Sequence, residues 1–561
     1  MKQHSFWTAL CLLFVAASAT GQTMKSSMEF APSEHWIKPV EKPYREEICL
    51  NGTWAFAPVQ LPAGFKEGET AAPALPGVNE VTFSKTPIRI PSPWNVNSFA
   101  DKNGLGGDHR TYPSYPKEWE SIKMGWLQKK FTVPASWKGK RIQIHFEAVA
   151  GKADIYVNGK VVGDNFDIFM PFDIDITDVV KFGQENVLNV GILKSSLFDD
   201  RKSPLGRRTY QGGSFWGQHI AGIWQDVYLV ALPQTRVADV YIQPIVNKNT
   251  LEVEVTLRND ENKAVKVSLS AAAYPWISKA GKTTLTAANP SSQLGTQAAL
   301  QIPVQKITIP AGKEIKTTLK TTVDNKLKLW SPSSPNLYGL VVKTAVNGKT
   351  NDSKYTRFGW RQTELKDGKF WLNGKPFVLK GDSWHYMGIP QMTRRYPWAW
   401  YTALRDANCN AVRLHAQPFP SFYLDVADEM GILVLDESAM WASDGGQKLG
   451  SEEFWKCSEE HMKQLVLRDR NHPSVFGWSV SNEIMPIIRG VMRNAQGLED
   501  NLVKHFKIWS DICFKYDPSR AWASADGEDD GRGLLPFYMV HYGGEGAMKR
   551  AYESGKPWGV G

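Results

Sequence analysis

The run Trp478-Ser-Val-Ser-Asn-Glu483 passes from apolar to polar and ends on an amide beside a carboxyl group. Breaking the acetal bond between two sugars calls for that kind of side chain. One carboxyl, its pKa raised by an apolar surround, protonates the leaving oxygen while a second carboxylate works from the other side. Glu483 is the candidate acid/base, and Asn482 is placed to hydrogen-bond a ring hydroxyl. Asn-Glu alone is a weak signal, but further polar residues recur just past apolar runs. Asp382 and His385 follow Phe377-Val-Leu-Lys380, and Arg413 and His415 end the run that begins at Ala411. Asp436 and Glu437 follow Ile432-Leu-Val-Leu435, and His541 and Tyr542 follow Phe537-Tyr-Met-Val540. Taken singly, each reads as a helix cap or a turn former. Coincident strand ends read instead as one shared mouth, because barrels of parallel strands collect their chemistry there.

From Trp360 onward, short apolar strands alternate with helical patterns. Helices are expected near Trp398–Ala407, Phe422–Glu429, Ser451–Arg468, Leu498–Tyr516 and Ala547–Glu553, and further strands at Val475–Val480, Trp522–Ser524 and Pro557–Val560. Such repetition implies a parallel sheet or a barrel. Seven strands can be counted, and the stretch falls short of the ~250 residues of a complete (β/α)8 barrel, so an incomplete TIM barrel is expected. Upstream the period drops to two. Lys140–Phe146 and Ala153–Val157 alternate, Asn158-Gly159 supplies a hairpin turn, and Asn186–Val190 and Gln225–Val230 continue the pattern. That predicts an all-β sandwich of jelly-roll type. Between Thr235 and Phe358, Thr250–Leu257 alternates and Lys313–Leu319 does so less strictly, around a Ser/Ala/Thr/Gly-rich stretch without strong pattern. An immunoglobulin-like sandwich fits that length. The expected division is a leader over 1–21, a jelly roll over 22–233, an immunoglobulin-like sandwich over 234–358 and the barrel over 359–561.

With 561 residues, 42% of them hydrophobic and 22% charged, the chain is globular and too long for a single core. Its net charge of +9 is spread without a Lys/Arg block, which describes a solvated surface and not a nucleic-acid partner. The 22 Trp and 18 Tyr suit stacking on sugar faces, although most aromatics simply fill cores. Lys2 and His4, the apolar run Phe6–Ala17 and Ala17-Ser-Ala19 form a signal-peptide pattern, the run being too short to cross a bilayer. A secreted or periplasmic protein without membrane insertion is expected. Cys49, Cys409, Cys457 and Cys513 are too sparse for a disulfide scaffold; one disulfide stays open, though buried free thiols are the expectation. No C-x-x-C spacing suggests zinc, and neither a metal nor a cofactor is expected.

Several motifs together carry a resemblance. Leu50-Asn-Gly-Thr-Trp54, Val157-Asn-Gly-Lys160, Pro171-Phe-Asp-Ile-Asp-Ile-Thr177, Gly222-Ile-Trp-Gln-Asp-Val227, Phe358-Gly-Trp-Arg361 and Leu372-Asn-Gly-Lys375 resemble glycoside hydrolase family 2. This is the family of β-galactosidases, β-glucuronidases and β-mannosidases. The resemblance covers nearly everything after the leader. It implies a jelly roll, an immunoglobulin-like sandwich and a (β/α)8 barrel in that order. It also implies a retaining mechanism, in which a Glu nucleophile forms a glycosyl-enzyme and the Glu of the Asn-Glu motif, here Glu483, acts as acid and then base. Lys380-Gly-Asp-Ser-Trp-His385 resembles the family's first-strand Arg-Gly…His pattern with Lys380 replacing the Arg, and Asn410-Ala-Val-Arg413 matches its second strand. His541-Tyr542 stands where the family places a tyrosine near the nucleophile. Asp382, His385, Arg413, His415, Glu437, Asn482, His541 and Tyr542 are therefore the candidate substrate-binding residues for an oligo- or polysaccharide.

Two departures follow. His415-Ala-Gln-Pro418 stands where the family often has Ser-His-Tyr-Pro, so the histidine has moved by one position. The family's nucleophile ends the seventh strand, whose counterpart here is Gly555-Lys-Pro-Trp-Gly-Val-Gly561. The resemblance thus implies a nucleophilic Glu just after Gly561, followed by at least one more strand and helix, and a 561-residue polypeptide that is inactive by itself and poorly soluble. Rival readings are a catalytically inactive carbohydrate-binding protein on the same scaffold, and an enzyme using Glu437 or Glu545 as the second carboxylate. A metal-dependent hydrolase built on Asp382, His385, His415 and His541 is a third, opposed by irregular spacings and the lack of an H-E-x-x-H helix.

Overall fold

Residues 35–95, 115–203, 205–214, 217, 219–278, 292–386, 388, 391–442, 446–493, 497–525 and 531–560 are described in a computed structural model. The expected leader lies outside the described residues. Strand alternation does what period two demands: Lys152–Val157 buries every second residue, and Asn158 and Gly159 turn the chain with φ of 51° and 80°. Positive φ at both positions is what a two-residue hairpin needs, and it returns the chain as Lys160–Asn165. This hairpin edges a six-stranded antiparallel sheet that packs against a four-stranded one built from Glu46–Cys49, Val227–Leu232, Arg141–Phe146 and Phe172–Asp175. Trp54, Trp94, Trp119 and Trp224 lie fully buried in this sandwich. That group of tryptophans is core.

A second sandwich begins at Thr235. Thr235–Ile245, Thr250–Asn259 and Glu314–Thr322 form one sheet. The other contains Val265–Ser278, paired with Leu300–Ile309 on one side and with Tyr338–Val346 and then Lys349–Phe358 on the other. The patternless Ser/Ala stretch therefore holds a long central strand. Its alternation is real but written in small residues: Leu269, Ala271 and Ala273 point inward while Ser268, Ser270 and Ala272 do not.

The parallel part follows a three-stranded antiparallel sheet over Thr363–Phe377. Five parallel strands then pair in sequence order: β1 (Gly381–His385), β2 (Ala411–His415), β3 (Leu433–Glu437), β4 (Val475–Asn482) and β5 (Ala521–Ala525). Two more, β6 (Tyr538–Val540) and β7 (Trp558–Val560), pair in parallel with each other. Helices α1 (Arg395–Asp406), α2 (Phe422–Met430), α3 (Glu452–Asp469), α4 (Ile484–Gly490), α5 (Leu498–Tyr516) and α6 (Glu545–Glu553) lie between them, α4 and α5 both between β4 and β5 and none between β5 and β6 among the described residues. Among the described residues seven parallel strands are present, the number counted from sequence. One boundary differs. Phe377 ends an antiparallel strand, Lys375–Phe377, and the first barrel strand starts at Gly381, so Asp382 and His385 lie within β1 and not after it. Gly381 permits that close pairing, since a Cβ there would come 2.6 Å from the Ala411 carbonyl oxygen. All four described cysteines are free, and only Cys513 is buried.

Buried ion pairs join the second sandwich to the barrel and to the first sandwich. Arg357 donates to Asp425, Asp428 and Glu429 of α2, and Arg45 is buried against Asp352 between the two sandwiches.

Candidate active site

Every residue of β4 is buried, Trp478 completely. At Glu483 the chain breaks from the strand: φ is 56° and ψ 28°, the left-handed region, and α4 starts at the next residue. A side chain with a Cβ pays ~1 kcal/mol or more to sit there, and such strain tends to gather at functional positions. The Glu483 carboxyl keeps 17% of its exposure and meets two side chains from other strand ends. His541, just past β6, places Nε2 2.8 Å from Oε1, and the Trp441 indole N–H donates to Oε2 at 3.2 Å. Trp441 is held beside Asn482 by a β-bridge and by the Asn482 N–H donating to the Met440 carbonyl at 2.9 Å.

Beneath Glu483 lies a closed ionic layer. Arg413 of β2 donates through Nε to Glu437 Oε2 at 2.8 Å and through Nη2 to Oε1 at 3.0 Å, and Nη2 also reaches Asn482 Oδ1. Ser479 of β4 donates its hydroxyl to Glu437 as well. Glu437 has no exposure at all, so its carboxylate is committed to orienting Arg413. The Asn482 amide nitrogen is buried with no hydrogen-bond partner among the described residues. His385 of β1 and His415 of β2 face each other with ring centroids 4.1 Å apart. Burial and then the Arg413 charge push the His415 imidazole down to about 2, and the same causes lower His385. The His415 ring is therefore neutral at ordinary pH and serves as a hydrogen-bonding group, and His385 is biased the same way.

Arg413, His415, Glu437, Asn482, Glu483, His385 and His541 thus come together from five strand ends. Others of the expected set do not. Asp382 lies on the opposite face of β1 from His385, exposed, with its carboxylate accepting from the Ser383 N–H at 2.8 Å. Tyr542 is 84% exposed with its ring centroid 4.2 Å from that of His541, which puts it at the rim. Glu545 is exposed in the first turn of α6. Asp436 is buried facing Asp469 of α3, outside this group.

Two contributors escaped the sequence. Trp441 is one; a tryptophan after a strand looks like core. The other is the Arg207–Ser214 segment of the jelly roll, which lies across the mouth. Arg207 donates to Gly446 O at 3.1 Å, Gly213 to Ala439 O at 3.0 Å and Ser214 to Ala416 O at 3.2 Å. Gly213, at φ 61°, leaves no room for a side chain, since a Cβ would sit 2.7 Å from that of Gln417. The Gly212-Gly213 pair was the available signal for such a close approach.

The four histidine and aspartate positions weighed for a metal are not gathered, since Asp382 lies on the far face of β1. Asp425, Asp428 and His472 do bring ligand atoms within 4.8 Å of one another. Their space is filled by the Arg357 guanidinium, 3.0 Å from Asp428, and His472 donates to the same carboxylate at 2.7 Å. That group is an ionic clasp between domains.

Family models match consecutive parts of the chain: the sugar-binding domain of glycosyl hydrolases family 2 at residues 48–233, a further family 2 domain at 235–361, and the family 2 TIM-barrel domain at 363–520. A β-galactosidase of Thermoanaerobacter pseudethanolicus is 29% identical over 428 residues, covering 73% of this chain and 50% of that protein. A β-glucuronidase of Formosa agariphila is 27% identical over 431 residues, covering 72% and 39%. The chain spans about half the length of the curated relatives it matches. Among solved structures, a Bacteroides uniformis β-glucuronidase superposes with a TM-score of 0.69 at 20% identity, covering 92% of this chain and 58% of that one. An Eisenbergiella tayi β-galacturonidase superposes with a TM-score of 0.68 at 17% identity, covering 94% and 83%. These superpositions bear on fold alone.

Proposed function

The chain belongs to glycoside hydrolase family 2, and from that premise we propose that it hydrolyses β-linked O-glycosidic bonds of oligo- or polysaccharides with retention of configuration. Glu483 is the acid/base. The observation that carries this is the partly exposed Glu483 carboxyl, set at the end of β4 on a left-handed turn and held through both oxygens by Trp441 and His541. Arg413 and the Asn482 amide nitrogen, which has no partner among the described residues, lie beside it, able to hydrogen-bond a ring hydroxyl as charge develops on the sugar. Retention requires a second carboxylate ~5 Å from the first. Glu437 is unsuited, being fully buried and bound in bidentate fashion by Arg413. Glu545 is exposed on a helix. The family resemblance, in which the nucleophile ends the seventh strand, is what points to a glutamate following β7 as the second carboxylate. The leader pattern at the N-terminus supports placing the enzyme outside the cytoplasm.

The relatives' names make galactosides and glucuronides the first substrates to try, as part of a panel of nitrophenyl β-glycosides. In the full-length protein, Glu483→Ala should lower kcat/KM on a natural glycoside by about 10²-fold or more, and on a dinitrophenyl glycoside much less, since a good leaving group needs little protonation. Equal losses on both would overturn the assignment.

A further inference from the structure

We infer that His541 and Trp441 are positioning residues that dictate on which oxygen Glu483 carries its proton, a step that rests on the acid/base reading above. An indole N–H can only donate. Trp441 therefore fixes Oε2 as an acceptor, and a carboxyl proton, when present, belongs on Oε1, the oxygen 2.8 Å from His541 Nε2. Only one proton fits between Oε1 and Nε2. Either the carboxyl O–H donates to a bare Nε2, or an Nε2–H donates to the carboxylate.

The far side of the imidazole weights that choice. His541 Nδ1 is buried and has no hydrogen-bond partner among the described residues. A proton placed on it stays unsatisfied, at ~1–3 kcal/mol. The neutral ring therefore rests with its proton on Nε2, donating to a Glu483 carboxylate that Trp441 also donates to. Loading Glu483 with the catalytic proton forces the ring to carry its own proton on Nδ1 instead. The loaded form, carboxylic acid with the Nδ1–H ring, and the imidazolium–carboxylate form differ only by one proton moved across the 2.8 Å contact. The 2.8 Å contact thus ties the place of the Glu483 proton to the tautomer of His541. The charged and titratable groups facing that pair are the Arg413 guanidinium, paired with Glu437, on β2 and β3; His385 and His415 on β1 and β2, both biased toward the neutral form; and Tyr542 at the rim. Among them only Arg413 is charged and near, and its charge is matched by Glu437. His541 is therefore the group best placed to set the proton balance of Glu483.

Histidines labelled with 13C and 15N, observed by NMR in the full chain and assigned through His541→Gln, read the tautomer without any need for turnover. The expected result is an Nε2–H ring at alkaline pH, where the pair holds a single proton, changed in its ring nitrogen shifts by Glu483→Gln. An Nδ1–H ring indifferent to Glu483→Gln would overturn the proposal. In the full-length enzyme, His541→Gln keeps a donor near Oε1 but cannot take up a proton. It should leave KM within about two-fold, lower kcat on a poor leaving group by about ten-fold or more, and move the limb of the kcat/KM–pH profile that belongs to Glu483. Trp441→Phe should shift the same limb while leaving the His541 tautomer intact, which guards against a His541 variant that folds badly. Unmoved profiles in both variants, alongside a Glu483→Ala that still shows leaving-group dependence, would defeat this inference and spare the acid/base reading. Loss of that leaving-group dependence would defeat the acid/base reading instead.

Discussion

Arg413 holds a charge in a place with 5% exposure, and Glu437 is the group that compensates it. Removing one partner of a buried pair leaves the other uncompensated, which typically costs ~3–5 kcal/mol. Glu437→Gln is therefore expected to lower the denaturation midpoint of the barrel clearly, as followed by guanidinium titration with Trp fluorescence. A mechanism-based 2-fluoro glycoside that traps the glycosyl-enzyme in the full-length protein should not attach to Glu437 in peptide mapping. Attachment there would restore it as nucleophile. The chemical identity of most of this site was legible in the sequence, because Arg413, His415, Asn482, Glu483 and His541 are polar groups that interrupt apolar runs. The misplaced residue was Asp382. Phe377-Val-Leu-Lys380 looks like a barrel strand, whereas Gly381-Asp-Ser-Trp-His385 looks like a loop; the backbone reverses those roles by pairing Phe377 with Phe370 and Gly381 with Ala411. Local pattern cannot reveal which neighbour a strand selects.

At the level of elements, β3 presents Glu437 to the site and its neighbour Asp436 to α3, as alternation requires. Burial and the adjacent Asp469 carboxylate hold the Asp436 carboxyl well above the usual carboxylate range. The sign follows from linkage. A carboxyl raised in the folded state contributes stability below its unfolded pKa of ~3.9, and that contribution is lost as pH rises toward the folded value. At neutral pH the wild type must keep Asp436 protonated against its solution preference. Asp436→Asn, an amide able to donate to Asp469 without titrating, should therefore melt higher than wild type by an amount that widens from pH 4 to pH 8. A gap independent of pH would refute the assignment. The helix expected at about Leu498–Tyr516 forms over that span. The central strand Val265–Ser278 was hidden because Ser and Ala alternate in burial with little contrast in hydrophobicity.

For the molecule as a whole, β1 and β7 each stand at the edge of their parallel sheet among the described residues. β1 and β7 are largely exposed strands with no further neighbour among the described residues, and Trp384, Trp558 and Val560 stand out from them at 44%, 39% and 58% exposure. Flat apolar edges invite pairing between chains. The 561-residue polypeptide expressed alone should self-associate in a concentration-dependent way by light scattering, and Trp558→Lys with Val560→Lys should reduce it; monodisperse behaviour of the unmodified polypeptide at tens of micromolar would contradict this. The jelly roll shapes the opposite end. Gly213 grips the Ala439 carbonyl, while the Ala439 N–H donates to His461, itself bonded at 2.7 Å to Asp167 of the jelly roll. Ala439 lies two residues before Trp441, so the indole that meets Glu483 is set by a domain made hundreds of residues earlier. During synthesis that domain leaves the ribosome first and folds as a unit. It would be waiting, already shaped, when the barrel emerges, and would act as a template on which the mouth is cast. A barrel refolded in isolation is then expected to regain its helices yet leave Trp441 unplaced, whereas adding the separately folded jelly roll in trans should seat it.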